Sequence, residues 1–262
     1  MEILLINDDG IYRPGLLKLA NVVQRLGRVV LVAPDHERSA CGHGMTLRDP
    51  LRLKEVDVTG GFEAYEVNGL PTDCVNLALR EFFPNGCDLL MSGINNGPNL
   101  GWDVTYSGTV AGAMEGAING VPSYAISIAV FVEDSPIHYE TAEQWLDENL
   151  EWLIGLKLPR YTFLNINVPN IAYLEIRGTR ITRMGTRIYE DQIIRKVDPW
   201  GRLYYWQGGV IVMDEKEPGT DVHEVNEGFV SITPIKLDWT DHEAIVALKE
   251  ELVKKQRGIS KK

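Results

Sequence analysis

The chain has 262 residues, 44% hydrophobic and 24% charged, which is enough for one large α/β body with a sizeable core. Thirty-seven acidic against 26 basic residues leave a formal net charge of -11, the wrong balance for an electrostatic grip on duplex DNA or a membrane. No apolar run approaches the roughly 20 residues that cross a bilayer, and the short apolar opening lacks a basic leader, so the expected address is cytoplasmic.

Ile3–Ile6 reads as a buried strand, Gly15–Leu26 as a helix and Val29–Ala33 as a second strand. Pro71–Phe83 is helical, with Pro71 in its first turn. Asp88–Met91 is a strand, Gly108–Asn119 a small-residue helix, Ser123–Val130 a strand, Tyr139–Ile154 an amphipathic helix and Tyr161–Val168 a strand. This alternation predicts an α/β fold with a mostly parallel sheet covered on both faces. The pattern fades near Pro169. Between Ile176 and Met213 it favours long hairpins rich in Tyr and Trp, read as a protruding region for subunit contact. Asp214-Glu215-Lys216-Glu217 reads as a solvated turn. A strand over Val230–Pro234 and a helix from about Asp241 to Lys255 follow, and the basic residues from Lys254 to Lys262 read as a solvated helix end and tail. The expected division is 1–170 for the catalytic core, 171–228 for the hairpin region, and 229–262 returning to the core or swapped to a partner.

Ligands of open parallel sheets bind beyond the carboxyl ends of the strands, and three polar clusters fall there. Asn7-Asp8-Asp9-Gly10 follows the first strand; adjacent acids repel unless a cation or a basic group neutralises them, and an oxygen-rich cluster suits Mg²⁺ or Mn²⁺. An Asx-type turn accounts for the same residues without chemistry. Pro34 to Gly44 adds Ser39, a neutral oxygen donor, and His43, whose imidazole type ordinarily titrates near neutrality and suits an acid. Ser92-Gly93-Ile94-Asn95-Asn96-Gly97-Pro98-Asn99 supplies carboxamides, which ligate or donate without adding negative charge. Ser107-Gly108-Thr109 then offers hydroxyls and backbone N–H groups at a helix start, a place for phosphate or simply an N-cap. No Gly-Lys-Ser/Thr follows, so this is not a P-loop. Cys41, Cys74 and Cys87 are odd in number and lack metal spacing, which fits reduced thiols.

These motifs resemble the stationary-phase survival protein E (SurE) nucleotidases. The resemblance rests on Asn7-Asp8-Asp9-Gly10, Ala33-Pro34-Asp35 with Arg38-Ser39, Leu70 to Val75, Ser92-Gly93-Ile94-Asn95, Gly97 to Gly101 and Tyr106 to Val110. It continues through Leu164 to Pro169, Gly219-Thr220-Asp221 and Gly228 to Pro234, in family order and along nearly the whole chain. It implies a Rossmann-like three-layer sandwich with a protruding hairpin region, and a 5′-nucleotidase, with 3′-nucleotidase and exopolyphosphatase activities as extensions, acting on nucleoside monophosphates as a homodimer or homotetramer. It implies one divalent cation per subunit, Mg²⁺ or Mn²⁺, on Asp8, Asp9, Ser39 and Asn95. It places phosphate at Ser107, Gly108 and Thr109 with Asn96 and Asn99 beside them, and Asp8, Asp9, Asn96 and Ser107 as the catalytic group. A nucleotide sensor without turnover is the rival reading, and attack by water or by an Asp carboxylate both stay open.

Overall fold

A computed structural model of the chain describes residues 1–131, 135–214 and 217–259. Glu215 and Lys216 of the acidic turn, and Lys261 and Lys262 of the basic tail, lie outside the described residues. In order, the elements are β1 (Glu2–Ile6), α1 (Pro14–Val23), β2 (Arg28–Pro34), β3 (Leu53–Glu55), β4 (Glu63–Val67), α2 (Pro71–Glu81), β5 (Leu89–Asn96) and α3 (Gly108–Ile118). Then come β6 (Ser123–Ala129), α4 (Tyr139–Gly155), β7 (Thr162–Pro169), β8 (Thr179–Ile181), β9 (Arg187–Val197), β10 (Leu203–Asp214), α5 (Asp221–Asn226), β11 (Val230–Lys236) and α6 (His242–Ile259). A short 3-10 turn at Gly101–Thr105 precedes α3.

The two-residue period of the strands separates the core into layers. Ile3 and Leu5 of β1, with Leu31 of β2 and Met91 of β5, join the cluster that receives Leu16 and Leu19 of α1 and Trp145 and Leu146 of α4. Leu4 and Ile6, with Val30, Val32 and Leu90, face the other way and meet Cys74, Val75 and Ala78 of α2. All the β1 side chains from Ile3 to Ile6 are fully buried, and each such burial contributes roughly 2 kcal/mol. This double burial explains why β1 and β2 read as continuous apolar runs.

Nine strands form one sheet in the order β3-β4-β2-β1-β5-β6-β7-β11-β8. Pairing is parallel except where β3 meets β4 and β11 meets β7. The sheet is therefore an α/β, Rossmann-like one with helices on both faces, as the alternation predicts. The chain moves outward from β1 to β2 and later returns to the other side of β1 as β5. Loops leaving β1 and β5 consequently diverge, which opens a crevice at the switch point.

Two differences from the sequence reading concern strands. β3 and β4 arise from a segment to which the sequence reading assigned no strand, although Leu51-Arg52-Leu53-Lys54 and Val56-Asp57-Val58 within it alternate apolar and polar residues. β5 runs on through Asn96 instead of ending at Met91, because its pairing with β6 slips by one residue between Ser92 and Asn95. Gly93 permits this: its φ is +134°, and a Cβ there would stand 2.2 Å from the Ile126 carbonyl oxygen.

β9 and β10 form a separate antiparallel ribbon. Trp200, Tyr205 and Trp206 on it are exposed, as are Val246, Leu248 and Leu252 on α6. Among the described residues no helix is long and apolar enough to cross a membrane.

Candidate active site

The turn after β1 is built by Asn7. Its fully buried side chain accepts the Gly10 N–H at 3.1 Å and donates from Nδ2 to the Gly10 carbonyl at 3.0 Å. This Asx turn delivers Asp8 and Asp9 to the mouth of the crevice. The Arg38 N–H donates to the Asp8 carbonyl at 2.8 Å, which draws the loop after β2 to the same place. Asn7 makes the turn, and the turn presents the two acids.

Asp8 is only 5% exposed, and Thr109 Oγ1 donates to its carboxylate. Burial pushes Asp8 above its ordinary range; the Thr109 hydroxyl and the N–H groups of Thr109 and Gly108 oppose that push. Gly108 is required for the approach, since a Cβ there would lie 2.6 Å from Asp8 Cβ and 2.9 Å from Cys41 Sγ. Asp9 is pushed up to about 7, first by burial and then by the charges of Asp8 and Glu37, against Arg13 and the Asn96 N–H. Two adjacent carboxyl groups are thus held where ionising both is costly.

Asn95 reaches the crevice through the slip in β5. Its Nδ2 donates to the Gly97 carbonyl at 2.9 Å, so Oδ1 is the atom it can offer a cation. Ser39 is exposed, and its hydroxyl donates to Glu37 Oε1 at 2.6 Å, which leaves the oxygen as an acceptor. Among the described residues no group of three or more His, Cys, Asp and Glu stands ready to hold a metal ion. The donor set is therefore two carboxylates with a hydroxyl and a carboxamide oxygen. Such a set fits a hard divalent cation, and two adjacent acids, Asp8 buried and Asp9 half-buried, without an adequate basic partner are the observation that favours one.

These groups open into a cavity of about 1040 Å³. Asp8, Asp9, Ser39, Asn95, Asn96, Asn99 and Ser107 all line it, so the structure brings together most of the residues singled out in the sequence. Three stand apart from the lining: Gly108, Thr109 and His43. Gly108 and Thr109 stand against Asp8, through their N–H groups and the Thr109 hydroxyl. Ser107 is the N-cap and accepts the Val110 N–H at 3.1 Å. His43 is drawn away by Glu115 of α3, whose Oε2 lies 2.8 Å from Nε2. Burial raises the Glu115 carboxyl, but its bonds to His43 and Asn76 outweigh that and hold it below its usual range. The structure gives His43 no place among the residues facing a substrate.

Asn99 is fastened from behind. Asn167 Oδ1 accepts its N–H at 2.9 Å, Asn165 and Asn167 donate to its carbonyl, and its own Nδ2 donates to Ser127. The carboxamides of β7 therefore fix the loop that carries Asn96 through Asn99. Burial pushes the Cys41 thiol up to about 11, which keeps it protonated and unsuited to nucleophilic attack.

The cavity also includes residues that sequence reasoning passed over: Arg13, Trp102, Asp103, Tyr139, Arg187, Tyr189 and Gln207. Only Tyr106 among its aromatic residues falls in a motif already noted. The others come from distant segments, and no local spacing links them. The one available signal was compositional, the aromatic richness of the hairpin around a basic residue.

Comparison with known proteins places these features in company. A family model described as "Survival protein SurE" matches residues 3–191. The chain is similar to a protein named 5′-nucleotidase SurE from Fervidobacterium nodosum, 45% identical and covering 99% of this chain and 97% of that one. It is 46% identical to 5′-nucleotidase SurE of Legionella pneumophila, over 92% of this chain and 93% of that one. Among solved structures, the SurE protein from Aquifex aeolicus superimposes with a TM-score of 0.81 at 40% identity, covering 95% of this chain and 99% of the other.

Proposed function

This chain belongs to the SurE family, and on that footing we propose that it is a 5′-nucleotidase that hydrolyses nucleoside monophosphates with a divalent cation. It is an enzyme of the phosphomonoester hydrolase class. The observation that carries the site assignment is the pair of adjacent acids at the switch point, buried Asp8 and half-buried Asp9, the latter pushed up to about 7.

Asp8, Asp9, Ser39 and Asn95 are the residues to hold Mg²⁺ or Mn²⁺, one per subunit. When bound, the cation supplies Lewis acidity and neutralises charge on the phosphoryl group. The protein's own part is positioning. Thr109 fixes the orientation of Asp8, and Gly108 admits the close approach of α3. Asn96 and Ser107, on neighbouring parts of the cavity wall, orient the phosphoryl oxygens, with rate enhancement coming from placement and electrostatics. Hydrolysis by water breaks the P–O ester bond and releases nucleoside and inorganic phosphate; attack by an Asp carboxylate would first form an acyl phosphate, which rapid-quench trapping detects. Activity on 3′-monophosphates and on polyphosphate is proposed for the same site. The exposed aromatic ribbon and the apolar residues of α6 support a homodimer or homotetramer.

The test is phosphate release from a panel of nucleoside monophosphates, in EDTA and with added Mg²⁺ or Mn²⁺. Metal-dependent release that falls by roughly 10³-fold in Asp8→Asn is the expected result. Tight nucleotide binding without release in any metal would replace the enzyme with a sensor.

A further inference from the structure

The cavity is far larger than one phosphate needs, and its far wall is assembled from two chain segments that meet around Asp103. Asp103 sits on the turn Gly101–Thr105, which also carries Trp102, a cavity residue 55% exposed. Its Oδ2 accepts from Arg187 Nη1 at 2.6 Å and from the Tyr189 hydroxyl at 2.7 Å. Both donors belong to β9, at the root of the hairpin, and the Arg187 side chain is 2% exposed. Beneath them the backbones are locked by Asp221, whose carboxylate accepts the Gly101 N–H at 2.9 Å and the Gly185 N–H at 2.7 Å. The two segments touch there, since a Cβ on Gly101 would lie 2.7 Å from the Gly185 carbonyl oxygen.

We propose that Asp103 is a positioning residue for substrate selectivity: by holding Arg187 and Tyr189 against the turn that carries Trp102, it completes the wall that receives the nucleoside part of the substrate. This rests on the nucleotidase reading above. The aromatic rings of Trp102 and Tyr189 and the carboxamide of Gln207, all lining this cavity, match a planar heterocycle with a hydrogen-bonding edge. The proposed cation donors Asp8, Asp9, Ser39 and Asn95 stand on different elements, the turns after β1 and β2 and the end of β5. Loosening the clamp therefore weakens recognition of the nucleoside and spares the chemistry at phosphorus. A charge-assisted pair that loses one partner costs about tenfold or more in binding.

The experiment compares wild type with Asp103→Asn in the full chain with saturating Mg²⁺ or Mn²⁺. Substrates are adenosine 5′-monophosphate and glycerol 2-phosphate, which has the ester and no base. The expected result is a rise of about tenfold in KM for the nucleotide with kcat nearly unchanged, and less than about a twofold change for glycerol 2-phosphate. Inhibition gives the same contrast independently: Ki for adenosine rises about tenfold while Ki for inorganic phosphate stays put. Tyr189→Phe, which removes one hydroxyl from the clamp, should show the same split at smaller size and decides the matter if Asp103→Asn does not fold. Equal losses on both substrates, or none in either variant, overturn the proposal while leaving the nucleotidase reading intact. A wild-type chain that hydrolyses glycerol 2-phosphate but no nucleotide overturns the nucleotidase reading, and this proposal falls with it.

Discussion

Replacing Asp9 by Asn removes one of two acids that burial sets against each other. In the wild type Asp9 rises from its ordinary 3.8 to about 7, first through burial and then through Asp8 and Glu37. A carboxyl group whose folded pKa exceeds its unfolded one binds its proton more tightly in the folded chain. Its contribution to stability is fully present below 3.8, is lost as pH rises, and is gone above about 7, where the folded chain carries the ionised pair. At about 1.36 kcal/mol per pH unit the full difference is roughly 4 kcal/mol. The site opens on water, which screens the charge, so the expected effect is on the order of 2 kcal/mol. Urea denaturation in EDTA is the assay. Asp9→Asn should exceed wild type by about 2 kcal/mol near pH 8, and the advantage should shrink as pH falls toward 4. Added Mg²⁺ should then stabilise wild type and leave the variant nearly unmoved, because only the intact pair gains a counter-charge. A variant no more stable than wild type near pH 8 without metal, or an advantage that stays constant with pH, refutes the reasoning.

Other perturbations separate positioning from packing. Gly108→Ala places a Cβ 2.6 Å from Asp8 Cβ, so kcat/KM should fall by about 100-fold while circular dichroism stays native. His43→Ala should leave phosphate release within about threefold of wild type and lower Tm by a few degrees, since the ring bonds Glu115 and does not face the cavity. Asn167→Ala deletes both side-chain bonds to the Asn99 backbone; a loss of about 2 kcal/mol in urea, with a raised KM for nucleotide, is expected.

The central strands were legible because burial on both faces writes itself into composition. Ile3–Ile6 and Val29–Ala33 are apolar without interruption, and the structure puts them at the centre of the sheet. The cavity lining was legible in part for a related reason: Asp8, Ser39 and Asn95 follow strands, and the structure brings all three to one cavity at the strand ends. β3 and β4 escaped notice because they are only three and five residues long and the glycine pair Gly60-Gly61 interrupts the segment between them. His43 misled because a flexible glycine-flanked loop suits substrate contact equally well, and only the placement of Glu115 on α3 settles where the ring goes. Likewise the contact of the Thr109 hydroxyl with Asp8, made possible by the close approach that Gly108 allows, could not be read from the helix-start motif alone.

By itself, then, the sequence determined the α/β alternation, the two-faced burial of the central strands and the oxygen-rich donor types, since periodicity and residue chemistry are local properties. Only the tertiary structure decided which donors share a cavity, where the register of β5 slips to present Asn95, and that Asp103 meets Arg187 84 residues away. Those outcomes depend on contacts between segments far apart in the chain, and their distances follow from how the layers pack rather than from any spacing along the chain.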